Sequence, residues 1–404
     1  MKNMKSIVVS LLILVLFLSS MVSGCEDESK DETISPSDGL LRLEPVGTWN
    51  YSFFPGLEDI DFEYDPEGGL IDAITITETT INGKQYLLLS FDPMSGPGQN
   101  SRVFIFDTTD PLSPRLVSSI AHPDEERKSY LVRSVAVQDG ILYAGLFLDK
   151  GLWMVNISDP ANPKDLGIAT VELHKDLIVS GNYAYASGQM FNGVSICDIS
   201  DVENVKEVAR QDISTRDCLL ALSGDILYVG ISNILTLYDV STPSTPWQVG
   251  TCELKVSGNL TTDLPFPEPG KVHWTNWADI NDIQTSGEYV YVAFGAGQVR
   301  IIDVSDPVTP KEVAYVDLGG FTISLTLKDN LLYVTRSDAD NPVLHLCIVD
   351  VSEPDNPKVI DSIATESMFG FGGATLGYMW ACPQIIGECI YVAGVNFMDI
   401  YGIK

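Results

Sequence analysis

Positive charge is what the sequence has least of: 24 Lys and Arg stand against 55 Asp and Glu, a formal net charge of −31. No basic run follows Lys5. Binding a phosphate backbone requires clustered Lys and Arg that displace condensed counterions, so nucleic acid is excluded as a partner. An acidic surface favours cations or basic partners instead. Histidine is scarce, with four in 404 residues. The signatures HExxH, GxSxG, GxGxxG and the P-loop are missing, and so is any CxxC pair. The sequence therefore offers no motif for a metalloprotease, serine hydrolase, dinucleotide enzyme, zinc ribbon or thioredoxin site. Sustained helical periodicity is also lacking beyond the N-terminal region, which points away from helical folds.

The one long apolar run, Ile7 to Val22, is sixteen residues, short of the ~20 that span a bilayer. Lys2 and Lys5 precede it, as in a secretory signal, and it closes on Val22-Ser23-Gly24-Cys25. That ending resembles the lipobox of bacterial and archaeal lipoproteins, with Val22 where Leu is commoner. The resemblance implies removal of residues 1–24 as a signal peptide and acylation of Cys25. It also implies a lipid anchor in the cell membrane with the protein facing outside the cytoplasm. Residues 25–42 are acidic, polar and aperiodic, a flexible linker that would span roughly 20–25 Å as a coil. Six of the seven cysteines follow Cys25, in a compartment that permits disulfides. Cys382 and Cys389 flank a predicted tight turn and are the candidate pair, whereas Cys197 and Cys347 read as buried thiols in strands.

Residues 43–404 are organised by repetition. The pattern apolar–x–apolar–Asp–apolar–Ser–acidic–Pro recurs at Asp107, Asn156, Asp198, Asp239, Asp303 and Asp350, with a truncated copy at Met398-Asp399-Ile400. The intervals are 49, 42, 41, 64, 47 and 49 residues, and the long one contains an evident insertion. Each unit reads as four strands, short runs rich in Val, Ile and Tyr bounded by Gly, Asp and Pro. Asp and Ser side chains accept backbone N–H groups in tight turns and Pro fixes φ there, so these recurring acids read as structural. Periods of this length mean propellers or solenoids.

The last unit supplies only three strands, Pro383–Ile386, Ile390–Val395 and Phe397–Ile403. The missing fourth matches Leu43–Trp49, whose Val46-Gly47-Thr48 parallels Val249-Gly250-Thr251. An N-terminal strand that completes the last blade removes the open edges of a linear array. The expected fold is all-β, a seven-bladed β-propeller of four-stranded antiparallel blades. The closing strand is 43–51 and the blades are about 71–121, 131–173, 174–213, 215–255, 280–318, 321–365 and 383–404. The Leu-Tyr-Val, Ile-Val-Asp-Val-Ser and Asp-Pro elements resemble the LVIVD-repeat family of secreted and surface β-propellers. That resemblance implies the fold and carries no catalytic motif.

Four-stranded antiparallel blades put the short first-to-second turns and the Asp-Pro turns on one face, and all the variable connections on the other. The variable stretches are 52–70, 91–100, 122–130, 256–279, 335–342 and 366–382. Long loops on a rigid scaffold are where binding residues gather. These carry Phe53, Phe54, Phe266, Trp274, Trp277, Phe369, Phe371, Tyr378 and Trp380 as candidate anchors. The alternate acids Asp59, Asp61, Glu63 and Asp65 would share one side of an extended segment, as hard ligands for Ca²⁺ should. Asp338-Ala339-Asp340-Asn341 is a second stretch of that kind, and Asn259-Leu260-Thr261 is a glycosylation sequon. His122, His174 and His273 fall on or beside the variable face, and His345 falls in a third strand.

Three functions fit. The first is a monomeric scaffold that binds a protein or polysaccharide at the cell envelope and touches the membrane only through its lipid. The second is an extracytoplasmic lyase, hydrolase or quinone-dependent enzyme with a site at the channel mouth. The third is a Ca²⁺-stabilised structural envelope protein. The absence of any nucleophile–base–orienter spacing favours the first and predicts no enzyme.

Overall fold

The computed structural model describes residues 41–50, 71–93, 102–121, 131–147, 151–171, 176–187, 193–213, 218–255, 279–295, 297–338, 343–368, 383–393 and 397–403. They form 28 strands in seven four-stranded antiparallel sheets. The first strand in the chain is β1 (Leu43–Asn50). Blade 1 is β2 (Ile71–Ile81), β3 (Lys84–Pro93), β4 (Arg102–Asp107) and β5 (Arg115–Ala121). Blade 2 is β6 (Leu131–Gln138), β7 (Ile141–Phe147), β8 (Gly151–Asn156) and β9 (Lys164–Thr170). Blade 3 is β10 (Leu177–Ser180), β11 (Tyr183–Ser187), β12 (Val194–Asp198) and β13 (Lys206–Gln211). Blade 4 is β14 (Leu219–Ser223), β15 (Ile226–Ile231), β16 (Ile234–Asp239) and β17 (Trp247–Glu253). Blade 5 is β18 (Ile280–Ser286), β19 (Tyr289–Phe294), β20 (Gln298–Asp303) and β21 (Lys311–Asp317). Blade 6 is β22 (Phe321–Lys328), β23 (Leu331–Ser337), β24 (Val343–Asp350) and β25 (Lys358–Met368). Blade 7 is β26 (Pro383–Ile386), β27 (Cys389–Ala393) and β28 (Phe397–Ile403), completed by β1.

The seventh blade closes as expected. β1 pairs antiparallel with β28, Leu43 opposite Ile403 and Asn50 opposite Phe397. Each blade's innermost strand touches both neighbouring ones, and contact between β26 and β2 completes the circle. The core is not central but divided into seven apolar layers, one at each junction between blades. The layer between blades 7 and 1, for example, sets Tyr391, Met398 and Ile400 against Leu87, Leu89 and Phe104. Middle strands are therefore buried on both sides, as in β8 and β20. This is why they read as continuous apolar runs rather than an alternation.

The recurring turn works as its chemistry demands. Oδ1 of the Asp that ends each third strand accepts the N–H two residues on, from Thr109, Ser200, Ser241, Ser305 and Ser352, at 2.8–2.9 Å. In blade 2 Asn156 does the same for Ser158 at 3.0 Å. A hydroxyl in the same turn adds a second bond to Asp107, Asp198 and Asp239, at 2.6 Å. These bonds hold the carboxyls of Asp107, Asp198, Asp239, Asp303 and Asp350 below the usual range. In the first hairpin of blade 2, both Asp139 and Gly140 have positive φ, 52° and 73°, the arrangement that matches strand twist. A side chain at Gly140 would meet Ser158 Oγ at 2.5 Å.

One register differs from expectation. Asp399 does not end a third strand; it lies mid-β28 opposite Thr48 and Val392, and is 2% exposed. The residue equivalent to Asp303, opposite the first residue of the second strand, is Gly402. The repeat's acid is thus lost in blade 7, where no Asp-Pro turn follows, and an Asp three residues earlier mimics it in sequence.

The outer strands share a feature that sequence reading missed. In all seven blades the outermost strand carries a one-residue bulge against the third. The extra residues are Val117, Leu166, Val208, Val249, Val313 and Ile360, each packed on the layer shared with the following blade. The seventh is Val46, 40% exposed. A bulge bends and twists an edge, so one insertion both buries an apolar side chain and spoils the edge for pairing.

Candidate binding face

Antiparallel order within each blade settles which connections lie together. The short first hairpins and the Asp-Pro turns occupy one face. The second-to-third connections and the passages between blades occupy the other, which we call the long-loop face. Residues 51–70, 94–101, 122–130, 256–278 and 369–382 all join strand ends on that second face.

Most residues singled out from sequence lie in those connections. Phe53, Phe54, Phe266, Trp274, Trp277, Phe369, Phe371, Tyr378 and Trp380 fall outside the described residues. So do Asp59, Asp61, Glu63 and Asp65, the histidines at 122, 174 and 273, and Cys25 and Cys382. Among the described residues no group of three or more His, Cys, Asp or Glu side chains is arranged to hold a metal ion. Cys389 is a buried free thiol, as are Cys197, Cys218, Cys252 and Cys347. Burial pushes the Cys197 thiol up to about 12. The Cys347 thiol is also raised by burial, although a contact with Ser362 Oγ at 3.2 Å opposes the shift. Thiols held protonated in this way are poor nucleophiles.

Three polar groupings frame the strand ends beneath the long-loop face. The first lies on the inner ring. Asp282 Oδ1 accepts the N–H of Ile283 at 2.7 Å, and Oδ2 accepts the N–H of Leu325 in the next blade at 3.0 Å, together with the Ser324 hydroxyl. Asp176 repeats the device in blade 3, bonding Leu177 N–H at 2.9 Å and Leu220 N–H of blade 4 at 2.8 Å. Burial drives the Asp282 carboxyl up to about 6; its three hydrogen bonds oppose that and the charge of Asp176 adds to it. Gln384 plays the matching part at the closure, where its Oε1 accepts Glu78 N–H at 3.3 Å. Thr77 and Thr326 add hydroxyl bonds to the carbonyls of Val135 and Pro383 in the following blades.

The second grouping stands at the foot of the longest connection. The Arg300 side chain is 3% exposed and pairs with Glu312 at 2.5 Å. Its guanidinium also donates to Gln298 Oε1 at 2.6 Å and to the Lys255 carbonyl at 2.9 Å. The rings of Phe294 and Tyr315 lie 4.9 and 4.8 Å away, within cation–π range. Lys255 immediately precedes residues 256–278, and its N–H lies 3.3 Å from Glu312 Oε2. The arrangement fixes both backbone groups where that connection leaves the blade. Equivalent positions in other blades hold Phe104, Trp153, Ser195, Thr236, Cys347 and Asp399. The available sign was a cation among the apolar residues Val299, Ile301 and Ile302 of β20.

The third grouping is in blade 6. Asp338 Oδ1 accepts from Arg336 at 2.7 Å, and Oδ2 from His345 Nε2 at 3.0 Å. Burial opposes ionisation of Asp338, but the two bonds outweigh it and hold the carboxyl below the usual range. Asp338 N–H bonds the Val343 carbonyl at 3.2 Å, pinning both ends of 339–342. The sequence places Asp338 in a candidate cation-binding stretch and His345 in a third strand, with no sign that the two meet.

Comparison with known proteins agrees with this architecture. A repeat family described as "LVIVD repeat" matches residues 131–170, 174–212, 217–254, 279–317 and 319–365, half of the chain and five consecutive blades. No curated protein matches. Among solved structures, the computationally designed Ika8 protein is similar over 83% of this chain and 98% of its own, at 10% identity and TM-score 0.50. A functionally unknown protein from Desulfotomaculum acetoxidans DSM 771 is similar over 73% of this chain and 86% of its own, also at 10% identity and TM-score 0.50. Likeness at that identity speaks to fold alone.

Proposed function

The chain belongs to the LVIVD-repeat family, and from that premise we propose that it is a binding scaffold, held at the cell surface by a lipid on Cys25, whose long-loop face engages an envelope protein or polysaccharide. The observation that carries the reading is the sorting of connections. A ring braced at every junction has one face of near-identical turns and one that receives every long connection. Variation confined to one side of a rigid disc is the arrangement of a recognition surface. Its aromatic residues are suited to act as anchors.

Binding rather than catalysis is favoured by how the described polar groups are used. Asp176 and Asp282 spend their oxygens on backbone N–H groups, Glu312 is committed to Arg300, and Asp338 is shared between Arg336 and His345. Groups tied into the scaffold in this way brace loops and do not turn over substrate. The scaffold works as a monomer.

The test is deletion. Residues 256–278 are replaced by a short Gly-Ser bridge, and binding to purified envelope polysaccharide and to intact envelopes is compared with that of the parent. Lost binding at a nearly unchanged melting temperature supports the reading. Undiminished binding after deletion of 256–278 and of 369–382 together would overturn it.

A further inference from the structure

We propose that the seam between blades 4 and 5, where it opens on the Asp-Pro face, is a docking site for a basic segment of a partner protein, with Trp247 as its anchor and Asp239 as the counter-charge. The site is separate from the long-loop face and depends neither on that face nor on a lipid.

The observation is one departure from the repeat. In blades 1–6 the first residue of the outermost strand lies opposite the last residue of the third. Arg115 there faces Asp107, Lys164 faces Asn156, Lys206 faces Asp198, Lys311 faces Asp303 and Lys358 faces Asp350. In blade 4 the position is aromatic, Trp247 opposite Asp239. Directly opposed residues have Cβ atoms about 4.5–5.5 Å apart, and opposite charges there attract. The turn hydrogen bonds hold all five turn acids low, and in four of them this cation adds to the effect; Asp239 lacks that help. Both bonds to Asp239 fall on Oδ1, and Oδ2 is uncommitted among the described residues.

Trp247 is 56% exposed. Leu237 and Gly250, the paired residues next along on that side of the sheet, face blade 5. Leu237 packs in the layer shared with it, and a side chain on Gly250 would meet the Val308 carbonyl at 3.1 Å. Side chains alternate along a strand, so Asp239 and Trp247 also face the seam, at its rim, with the Asp-Pro turn of blade 5 across it. Val308 in that turn is 62% exposed. At each of the other six seams the strand position is charged, Glu44 taking it in blade 7, so none of them offers an aromatic beside the turn. The occupant follows from charge. A ring with a carboxylate at its side suits a Lys or Arg side chain, the cation over the ring and near Asp239, while Val308 suits an apolar neighbour in the same segment. Asp306 adds a second acid in the turn that holds Val308. A chain of net charge −31 repels its own copies, which disfavours a second copy at this seam.

The probe is a fluorescein-labelled peptide of alternating Arg and Leu, titrated into the full chain at about 0.15 M salt, where charges are screened beyond about 8 Å. A peptide of alternating Ser and Leu is the comparison, and it should bind about tenfold more weakly or worse. Trp247→Ala, which alters no charge, should weaken the Arg-Leu peptide by about tenfold or more, as the loss of a Trp anchor does. Trp247→Lys, which restores the residue type of the other blades, should bind as poorly as the Ala variant and melt with the parent. Leu112→Ala, at the exposed turn of blade 1, should leave binding unchanged. Equal affinities for the parent and Trp247→Ala would show the peptide held by diffuse charge and overturn the site. No preference for Arg-Leu over Ser-Leu would overturn the basic partner. So would self-association of the parent that Trp247→Ala abolishes, because the seam would then belong to a second copy.

Discussion

Replacing Arg300 by Ala should be among the most costly single changes in the ring. The substitution leaves Glu312 without its cation although its side chain is only 12% exposed. It also strips the Lys255 carbonyl and Gln298 of their donor and empties the space between Phe294 and Tyr315. Removing one member of a buried ion pair costs about 3–5 kcal/mol, and the contacts with buried Phe294 and exposed Tyr315 together add on the order of 1 kcal/mol. A loss of about 5 kcal/mol is expected, read from urea unfolding as the change in midpoint multiplied by the slope. The control is the double change Arg300→Met with Glu312→Leu. Apolar residues of similar volume relieve both desolvation penalties, and such replacements are commonly neutral or stabilising. The double variant should therefore recover most of the loss, and Arg300→Lys should fall between, having lost the planar fork and its stacking. An Arg300→Ala protein within 1 kcal/mol of the parent, or a double variant worse than the single one, would refute the account.

Asp282→Asn tests the inner ring. A carboxyl raised to about 6 in the folded state binds its proton more tightly there than in the unfolded chain. It therefore favours folding when protonated and loses that advantage as pH rises through 6. The melting temperature of the variant relative to the parent should accordingly increase between pH 4 and pH 7; a flat difference would contradict the assignment. The turn acids act with the opposite sign. Asp107, Asp198, Asp239, Asp303 and Asp350 are held low, so their contribution is present above the ordinary carboxylate range and vanishes as pH falls through their folded values. Changing all five to Asn should flatten the acid limb of the stability curve. Tyr391→Phe removes the hydroxyl bond from blade 7 to the Pro111 carbonyl of blade 1 and should cost about 1 kcal/mol. Ser118→Ala, which deletes the corresponding 2.6 Å bond to Pro160, should cost a similar amount by the same denaturation assay.

Much of the architecture could be read in advance because the repeat is redundant. Val46-Gly47-Thr48 matched Val249-Gly250-Thr251 closely enough to place β1 beside β28, and the pairing shows the same bulge in both places. Redundancy also misled at one point. Asp399 follows an apolar residue, as the turn acids do, but without a fourth strand after it nothing in the sequence marks where the third one ends. The bulges stayed hidden for a related reason. An added Val or Ile in a strand of Val and Ile leaves the composition intact and alters only the register, which is a property of two strands. Arg300 and Glu312 were invisible as a pair because their meeting depends on that register. The long-loop aromatics carry no repeat at all, so their partners follow from neither pattern nor spacing.

β1 meets a load end-on. Tension applied at Leu43 along the strand, in the direction of the Asp-Pro turns, acts along its own axis. Its bonds to β28, from Leu43 opposite Ile403 to Asn50 opposite Phe397, then strain together in shear. A strand peeled sideways from a sheet surrenders its bonds singly. The strand that closes the circle is thereby well disposed to resist a pull along its own length.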